Sequence, residues 1–290
     1  MSITAITVNY NGGELLAGNV EALLRSELVT EVLVVDNASH DSSMEAVERL
    51  ARSSERVRCI YNDKNLGFAA ACNQAMEEAS GDYLLFVNPD CRVETDALKA
   101  LMACLESMPR AGMAGPLLLN PDGTEQAGGR RAVPTPWRSF VRAFGLYRLQ
   151  DRYPRLFSDF VLYKQPLPDG PVEVEAISGS CMLVKREAVA DVGAWDEEYF
   201  LHCEDLDWCM RFRQNDWKVI FVPGAPVVHN QGTCSTERPV FVEWHKHRGM
   251  MRFYGKYFRH QYPGILFWIV GLAVWSRFSA SALYHLLKRN

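Results

Sequence analysis

The sequence contains no Cys-x-x-Cys pair; its eight cysteines, at 59, 72, 91, 104, 181, 203, 209 and 234, are scattered through 290 residues. That spacing argues against a disulfide scaffold or a zinc ribbon. No charged segment followed by an apolar stretch precedes the first strand-like run, so the expectation is a reducing, cytoplasmic setting with free thiols. Other signatures are missing too. The stretch "NYNGGELLAG" (9–18) lacks the Gly-x-Gly-x-x-Gly of a dinucleotide site, and no Gly-x-x-x-x-Gly-Lys-Ser/Thr loop occurs. "ISGSC" (177–181) offers Gly179-Ser180 without the nucleophile elbow of a hydrolase. These absences argue against a nicotinamide enzyme, a P-loop enzyme and an α/β-hydrolase.

Acidic residues are absent from one region. From Trp244 to Asn290 there is no Asp or Glu, but there are eight cations: Lys246, Arg248, Arg252, Lys256, Arg259, Arg277, Lys288 and Arg289. Removing these from the 31 Lys and Arg leaves 23 against 35 Asp and Glu, so residues 1–243 carry −12 and the remainder +8. Such polarity suggests a basic surface facing something anionic. An uninterrupted apolar run of about 20 residues, enough to span a bilayer, is also lacking. "ILFWIVGLAVW" (265–275) is soon followed by Arg277. Aromatic residues mixed with Lys and Arg fit a helix lying on an anionic membrane surface. A core or oligomer helix and a true span stay open as alternatives. No nucleic-acid partner is expected, and a homo-oligomer is left open.

What is present is a regular alternation. With 48% hydrophobic residues the chain can bury a sizeable core. Strand-like runs at "ITAITVNY", "EVLVVDN", "VRCIYN" and "DYLLFVN" are separated by helical stretches over 13–26, 41–53 and 68–79, with another over 94–108. This order implies right-handed crossovers and a parallel sheet covered on both faces. Ligands of such sheets sit beyond the carboxyl ends of the strands. Those ends carry Asn9, Asn11, Asp36, Asn37, Asn62, Asn88 and Asp90. Any one could be ordinary turn chemistry; together at one edge they mark a site.

The stretch "LHCEDLDWCMR" (201–211) gathers Glu204, Asp205 and Asp207 beside His202, Cys203 and Cys209. A zinc site would need a partner pair elsewhere, and none appears. On a helix starting near Glu204, Leu206, Cys209, Met210 and Phe212 share an apolar side, so the cysteines read as packing residues. Acids in a first turn are favoured by the helix dipole alone.

Taken together, "TVNYNGG", "VVDNAS", "NDKNLGFAAACNQA", "LLFVNPD", "AISGSCMLVKREA" and "GAWDEEYFLHCEDLDWCMR" resemble family 2 glycosyltransferases, in particular the bacterial branch that contains rhamnosyltransferases. The resemblance covers about residues 1–235. It implies an α/β fold of GT-A type: a Rossmann-like, mainly parallel sheet with helices on both faces. Residues 1–115 would form the nucleotide-sugar half, 116–235 the acceptor and catalytic half, and 236–290 a basic, aromatic, membrane-associating tail.

The resemblance also implies roles. Asn9, Asn11, Asp36, Asn37, Asn65, Gly67, Asn73, Asn88 and Asp90 would bind a dTDP- or UDP-sugar, with Asp36 on the pyrimidine and Asn73 facing the site. "VNPD" stands in the place of Asp-x-Asp, so Asp90 would hold Mg²⁺ or Mn²⁺, with Asn88 where many relatives carry an acid. His229 would join the metal or the diphosphate. Asp205 would be the general base of an inverting transfer, since an aspartate carboxyl ordinarily titrates near 4 and accepts a proton at neutral pH. Glu204 would position that base or the acceptor.

Arg130 and Arg131 lie in the Gly- and Pro-rich segment 120–137 and could touch phosphate or be a solvated pair. Residues 138–170 are assigned to acceptor specificity. The resemblance favours dTDP-L-rhamnose as donor and a lipid-linked or polysaccharide acceptor at the inner face of the plasma membrane. Galactofuranose, glucose or N-acetylglucosamine from a UDP donor is the alternative. A noncatalytic nucleotide-sugar-binding or scaffold protein is the alternative of another class.

Overall fold

The computed structural model describes residues 1–230 and 238–288. Its first half holds β1 (Ile3–Asn9), α1 (Leu15–Leu24), β2 (Val29–Asp36), α2 (Ser43–Ser53), β3 (Val57–Tyr61), α3 (Phe68–Glu78), β4 (Tyr83–Val87), β5 (Cys91–Arg92), α4 (Thr95–Ser107) and β6 (Ala111–Leu119). Then come β7 (Arg130–Arg131), α5 (Pro136–Ala143), β8 (Val172–Glu173), β9 (Ala176–Ile177), β10 (Cys181–Lys185), α6 (Arg186–Val192), α7 (Glu204–Gln214) and β11 (Lys218–His229). Helices α8 (Pro239–Tyr257) and α9 (Gly264–Lys288) end the described chain.

The main sheet runs β3-β2-β1-β4-β10-β6-β11-β5, with β8 also against β11. Strands β1 to β4 are parallel, as the strand–helix alternation implies. Strand β10 departs from that pattern and is antiparallel to both β4 and β6. The reason is where it begins: Cys181 sits opposite Val87, the last residue of β4, so β10 starts at the carboxyl edge and must run back. The order reverses between β1 and β4. There β1 pairs with β2 as far as Asn9 but with β4 only as far as Ile6, which opens a crevice at the carboxyl ends.

Successive side chains of a doubly covered strand serve opposite faces. Val32 and Val34 of β2, Leu85 of β4 and Leu183 of β10 pack into one core with α1 and α4. Leu33, Val35, Phe86 and Met182 pack into the other, with α3, α7 and α8. The second core is aromatic: Trp208 lies edge-on to Phe86 and Phe212, and its ring is 4.1 Å from that of Trp195.

The expected tail divides. Its boundary at 235 lies outside the described residues, as do Cys234 and Arg289. Helix α8 belongs to the domain, because Phe253 and Tyr254 are buried in the aromatic core. Arg252 and Lys256 are spent on Asp196 and Asp207 and so do not contribute to a free basic surface. Helix α9 is different: it passes through Arg277 without a break, and Trp268 and Leu272 are 74% and 72% exposed. It is long and apolar enough to cross a membrane.

Trp208 is wholly buried and its indole N–H donates to the Gly193 carbonyl at 2.9 Å. Trp208→Ala should therefore lower the unfolding free energy by about 3–5 kcal/mol, measured by chemical denaturation.

Candidate active site

Beyond the carboxyl ends of β1 and β4 lies a cavity of about 580 Å³. Val8 at the end of β1, Tyr10 just past it, Asn37 after β2, and Asn88 to Asp90 after β4 line it. So do Gln126, Arg131, Ser178 to Ser180, Phe200 to His202, Glu204, Asp205 and His229, while Arg238, Phe241 and Val242 come from the start of α8.

The strand-end residues divide into lining and support. Asn9 donates from Nδ2 to Asp36 Oδ1 at 3.0 Å, and Asp36 Oδ2 accepts the Ser39 N–H. Asn11, at φ 55°, donates its N–H to Ser39 Oγ and accepts from the His40 N–H. These three do not line the cavity; they fix the adjoining Tyr10 and Asn37, which do. Asn37 donates to Asn65 Oδ1 at 3.0 Å and accepts from the Leu66 N–H, so it ties the 65–67 loop to the sheet edge. Gly67 has φ +89°, and a Cβ there would sit 2.7 Å from the Phe200 carbonyl. Only glycine fits this close crossing.

Asn73 is a correction. It does not face the cavity: its amide donates to the Trp195 carbonyl and Glu197, and accepts the Trp195 N–H. One and a half turns into α3 the side chain has rotated away from the ligand edge, and it holds the 195–197 loop instead.

Asp90, Cys91 and His229 bring their ligand atoms within 4.8 Å of one another. Strand β5 pairs with the end of β11, which sets His229 opposite Cys91. Burial keeps the Cys91 thiol well above its ordinary range, and its Sγ–H donates to the Ser180 carbonyl, so it is packing rather than a ligand. His229 Nε2 lies 3.2 Å from Asp90 Oδ1 without hydrogen-bond geometry, and that buried oxygen has no donor among the described residues. An unsatisfied carboxylate oxygen beside an imidazole nitrogen fits a divalent cation of the Mg²⁺ or Mn²⁺ type. Asn88 lines the cavity beside them.

Helix α7 enters through two left-handed residues, His202 and Cys203, at φ 68° and 72°. This costly backbone turns three acids inward within one turn. Asp205 Oδ2 is held by the Arg131 guanidinium and by the Gly179 N–H, and Oδ1 by the Leu206 N–H. Three donors take three of about four acceptor positions of a carboxylate. The remaining one is left for a hydroxyl. Glu204 is buried, and its Oε2 has no partner; desolvation, then the neighbouring Asp205, push its pKa up to about 8. It therefore stays a neutral acid at neutral pH. Asp207 is wholly buried among Arg211, Lys256 and the Tyr199 and Tyr257 hydroxyls. Cys209 points at Met113 in the core and Cys203 is half-buried against the same core, so the cysteines of this stretch pack, as expected.

A model of glycosyl transferase family 2 matches residues 4–193. The chain belongs to this family. It is 29% identical over 249 residues to an N-acetylglucosaminyl-diphospho-decaprenol L-rhamnosyltransferase of Mycobacterium tuberculosis, covering 82% of this chain and 78% of that one. It is also 29% identical over 154 residues to the rhamnosyltransferase WbbL of Escherichia coli, covering 52% and 53%. Its fold matches that of a mannosyltransferase from Pyrobaculum calidifontis, solved with GDP-Man and Mn²⁺, at TM-score 0.60 and 17% identity over 99% of this chain and 75% of that one. The GT-A architecture expected for the family is therefore present.

For this family 2 glycosyltransferase, several lining residues escaped the sequence reading. Arg131 is not a solvated charge but is paired with Asp205 at the cavity, and Arg130 is buried against Glu125. Gln126 was visible only as part of a long polar loop. Arg238, Phe241 and Val242 fell in the segment read as a tail. Residues 138–170, assigned to the acceptor, supply no lining residue among those described.

Because the folded-state pKa of Glu204 is raised from 4.5 to about 8, the folded protein holds this proton more tightly than the unfolded chain. Stability attributable to it is present below pH 4.5 and lost as pH rises to about 8. Glu204→Gln should flatten that decline, read as the thermal midpoint across pH 5–8.

Proposed function

We propose that this chain is an inverting rhamnosyltransferase that moves L-rhamnose from dTDP-L-rhamnose to a lipid-linked or polysaccharide acceptor in cell-surface glycan synthesis. The observation that carries the reading is that a braced carboxylate, Asp205, and a carboxylate–imidazole pair, Asp90 with His229, line one cavity. The mycobacterial and E. coli relatives support rhamnose as the sugar.

In this mechanism the acceptor hydroxyl takes the open position on Asp205 and gives up its proton there as its oxygen attacks the anomeric carbon. The bond to the diphosphate breaks on the opposite face, and configuration inverts. A divalent cation held by Asp90 and His229 would neutralise the charge on the departing nucleoside diphosphate. Arg131 and the Gly179 N–H keep the Asp205 carboxylate from rotating away between turnovers. Glu204, neutral and without a partner inside the cavity, supplies an O–H donor to the acceptor sugar. Asn37 and the Asn65–Gly67 loop bound the nucleoside end, with Asp36 fixed beside them.

The working position is the cytoplasmic face of the plasma membrane, with α9 as the membrane-associating element. Support comes from its exposed apolar surface and from Arg277 and Lys288 along it. Trp244 of α8 meets Trp275 and Phe278 of α9, so aromatic surface runs from the cavity mouth toward the membrane helix.

In a panel of dTDP- and UDP-sugars, dTDP-L-rhamnose with Mn²⁺ should raise the thermal midpoint most and should be the sugar transferred. Stabilisation by a UDP-sugar alone would reassign the donor, and equal stabilisation in EDTA would remove the cation. Asp205→Asn should lower kcat by about 10²- to 10⁴-fold while leaving that thermal shift intact. A chain ending at Gln261 should keep its fold, because α8 is retained, but fail to float with anionic vesicles; unchanged flotation would refute the role of α9.

A further inference from the structure

Gln126 is buried, lines the cavity, and contacts His229 twice. It has no part in the mechanism above. Its surroundings decide which way every polar group around it points, starting from the surface. Asp122 is a carboxylate kept below its usual range by the Thr124 side-chain hydroxyl and then the Thr124 N–H, so it only accepts. The Thr124 hydroxyl gives it a proton at 2.6 Å, leaving Thr124 Oγ1 to accept from Asn120 Nδ2 at 3.0 Å. With its amide nitrogen committed, Asn120 turns Oδ1 toward Gln126 Nε2 at 3.1 Å. The same Nε2 also donates to the His229 carbonyl. Gln126 Oε1 is thereby left facing His229 Nδ1 at 2.6 Å, so that ring nitrogen carries the hydrogen.

A neutral imidazole protonated on Nδ1 presents a lone pair on Nε2. This lone pair meets Asp90 Oδ1, itself without a donor, at 3.2 Å. Two acceptors face each other in a buried site, an arrangement that repels unless a proton or a metal cation lies between them. We propose that Gln126, oriented by the hydrogen-bond series Asp122, Thr124, Asn120, is a positioning residue that fixes His229 as the Nδ1–H tautomer and so creates a divalent-cation site with Asp90. Outer partners of this kind hold a ligating imidazole in tautomer and orientation. The inference rests on the reading that Asp90 and His229 hold a cation, and the tests separate the two.

The first test uses the wild-type full chain without metal. A long-range ¹H–¹⁵N spectrum should show the His229 ring as the Nδ1–H tautomer; the Nε2–H form would overturn the proposal. The second titrates the chain with Mn²⁺ alone, following the free aqua ion by electron paramagnetic resonance. Gln126→Leu should weaken binding about 10- to 100-fold. Gln126→Glu, which keeps an acceptor for Nδ1–H, should recover most of it. Asp90→Asn is the control. If the wild type fails to bind, or if Asp90→Asn binds equally well, the cation reading falls and this inference with it. A loss in Asp90→Asn beside unchanged binding in Gln126→Leu overturns the role of Gln126 alone.

Discussion

A carboxylate taken out of water must be paired with a cation, surrounded by donors or kept neutral. The first turn of α7 meets that constraint in all three ways, and much of the molecule is arranged around the result. Asp207 takes the cations: Arg211 from its own helix and Lys256 from α8, with two tyrosine hydroxyls. Asp205 takes mainly donors: the backbone N–H groups of Leu206 and of Gly179 in the loop before β10, together with the Arg131 guanidinium on β7. Glu204, its Oε2 without a partner among the described residues, keeps its proton. The first two solutions tie the helix to different parts of the chain, so Asp207 and Asp205 organise the junction between sheet, loop and C-terminal helices.

The loop from 120 to 131 has a comparable economy. Four residues lie between Gln126, which holds His229, and Arg131, which holds Asp205. Beside them the Glu125–Arg130 ion pair, buried from solvent, stiffens the loop that carries both. Asp205 and His229 are therefore both braced from one short segment.

How much of this was legible in sequence follows from the range of the forces involved. The four parallel strands and their helices are written in local periodicity, and they stand within about two residues of where the apolar runs place them. The polar strand tips were legible too, because turn chemistry at a shared sheet edge is a local signal repeated four times. What escaped depends on pairing across long separations. Nothing near Arg131 says that its partner is 74 residues away. The burial of Phe253 and Tyr254 depends on an aromatic core assembled from distant parts of the chain, so a basic, aromatic segment looked like a tail when its first helix packs on the domain. Asn73 shows the opposite error, a polar residue near the right edge whose helical phase carries it to a structural neighbour.

Lys256 reaches Asp207 from the far end of α8, and the near end of the same helix sets Phe241 and Val242 into the cavity wall. During synthesis the N-terminal strands emerge first and can form their sheet early. The cavity wall is not finished until the chain has grown beyond Phe258, whose ring is buried with the aromatic core. A nascent chain thus carries its strand-end polar residues well before it has an enclosed place to use them. Competence arrives late, with the segment that leads directly into the apolar helix at its end.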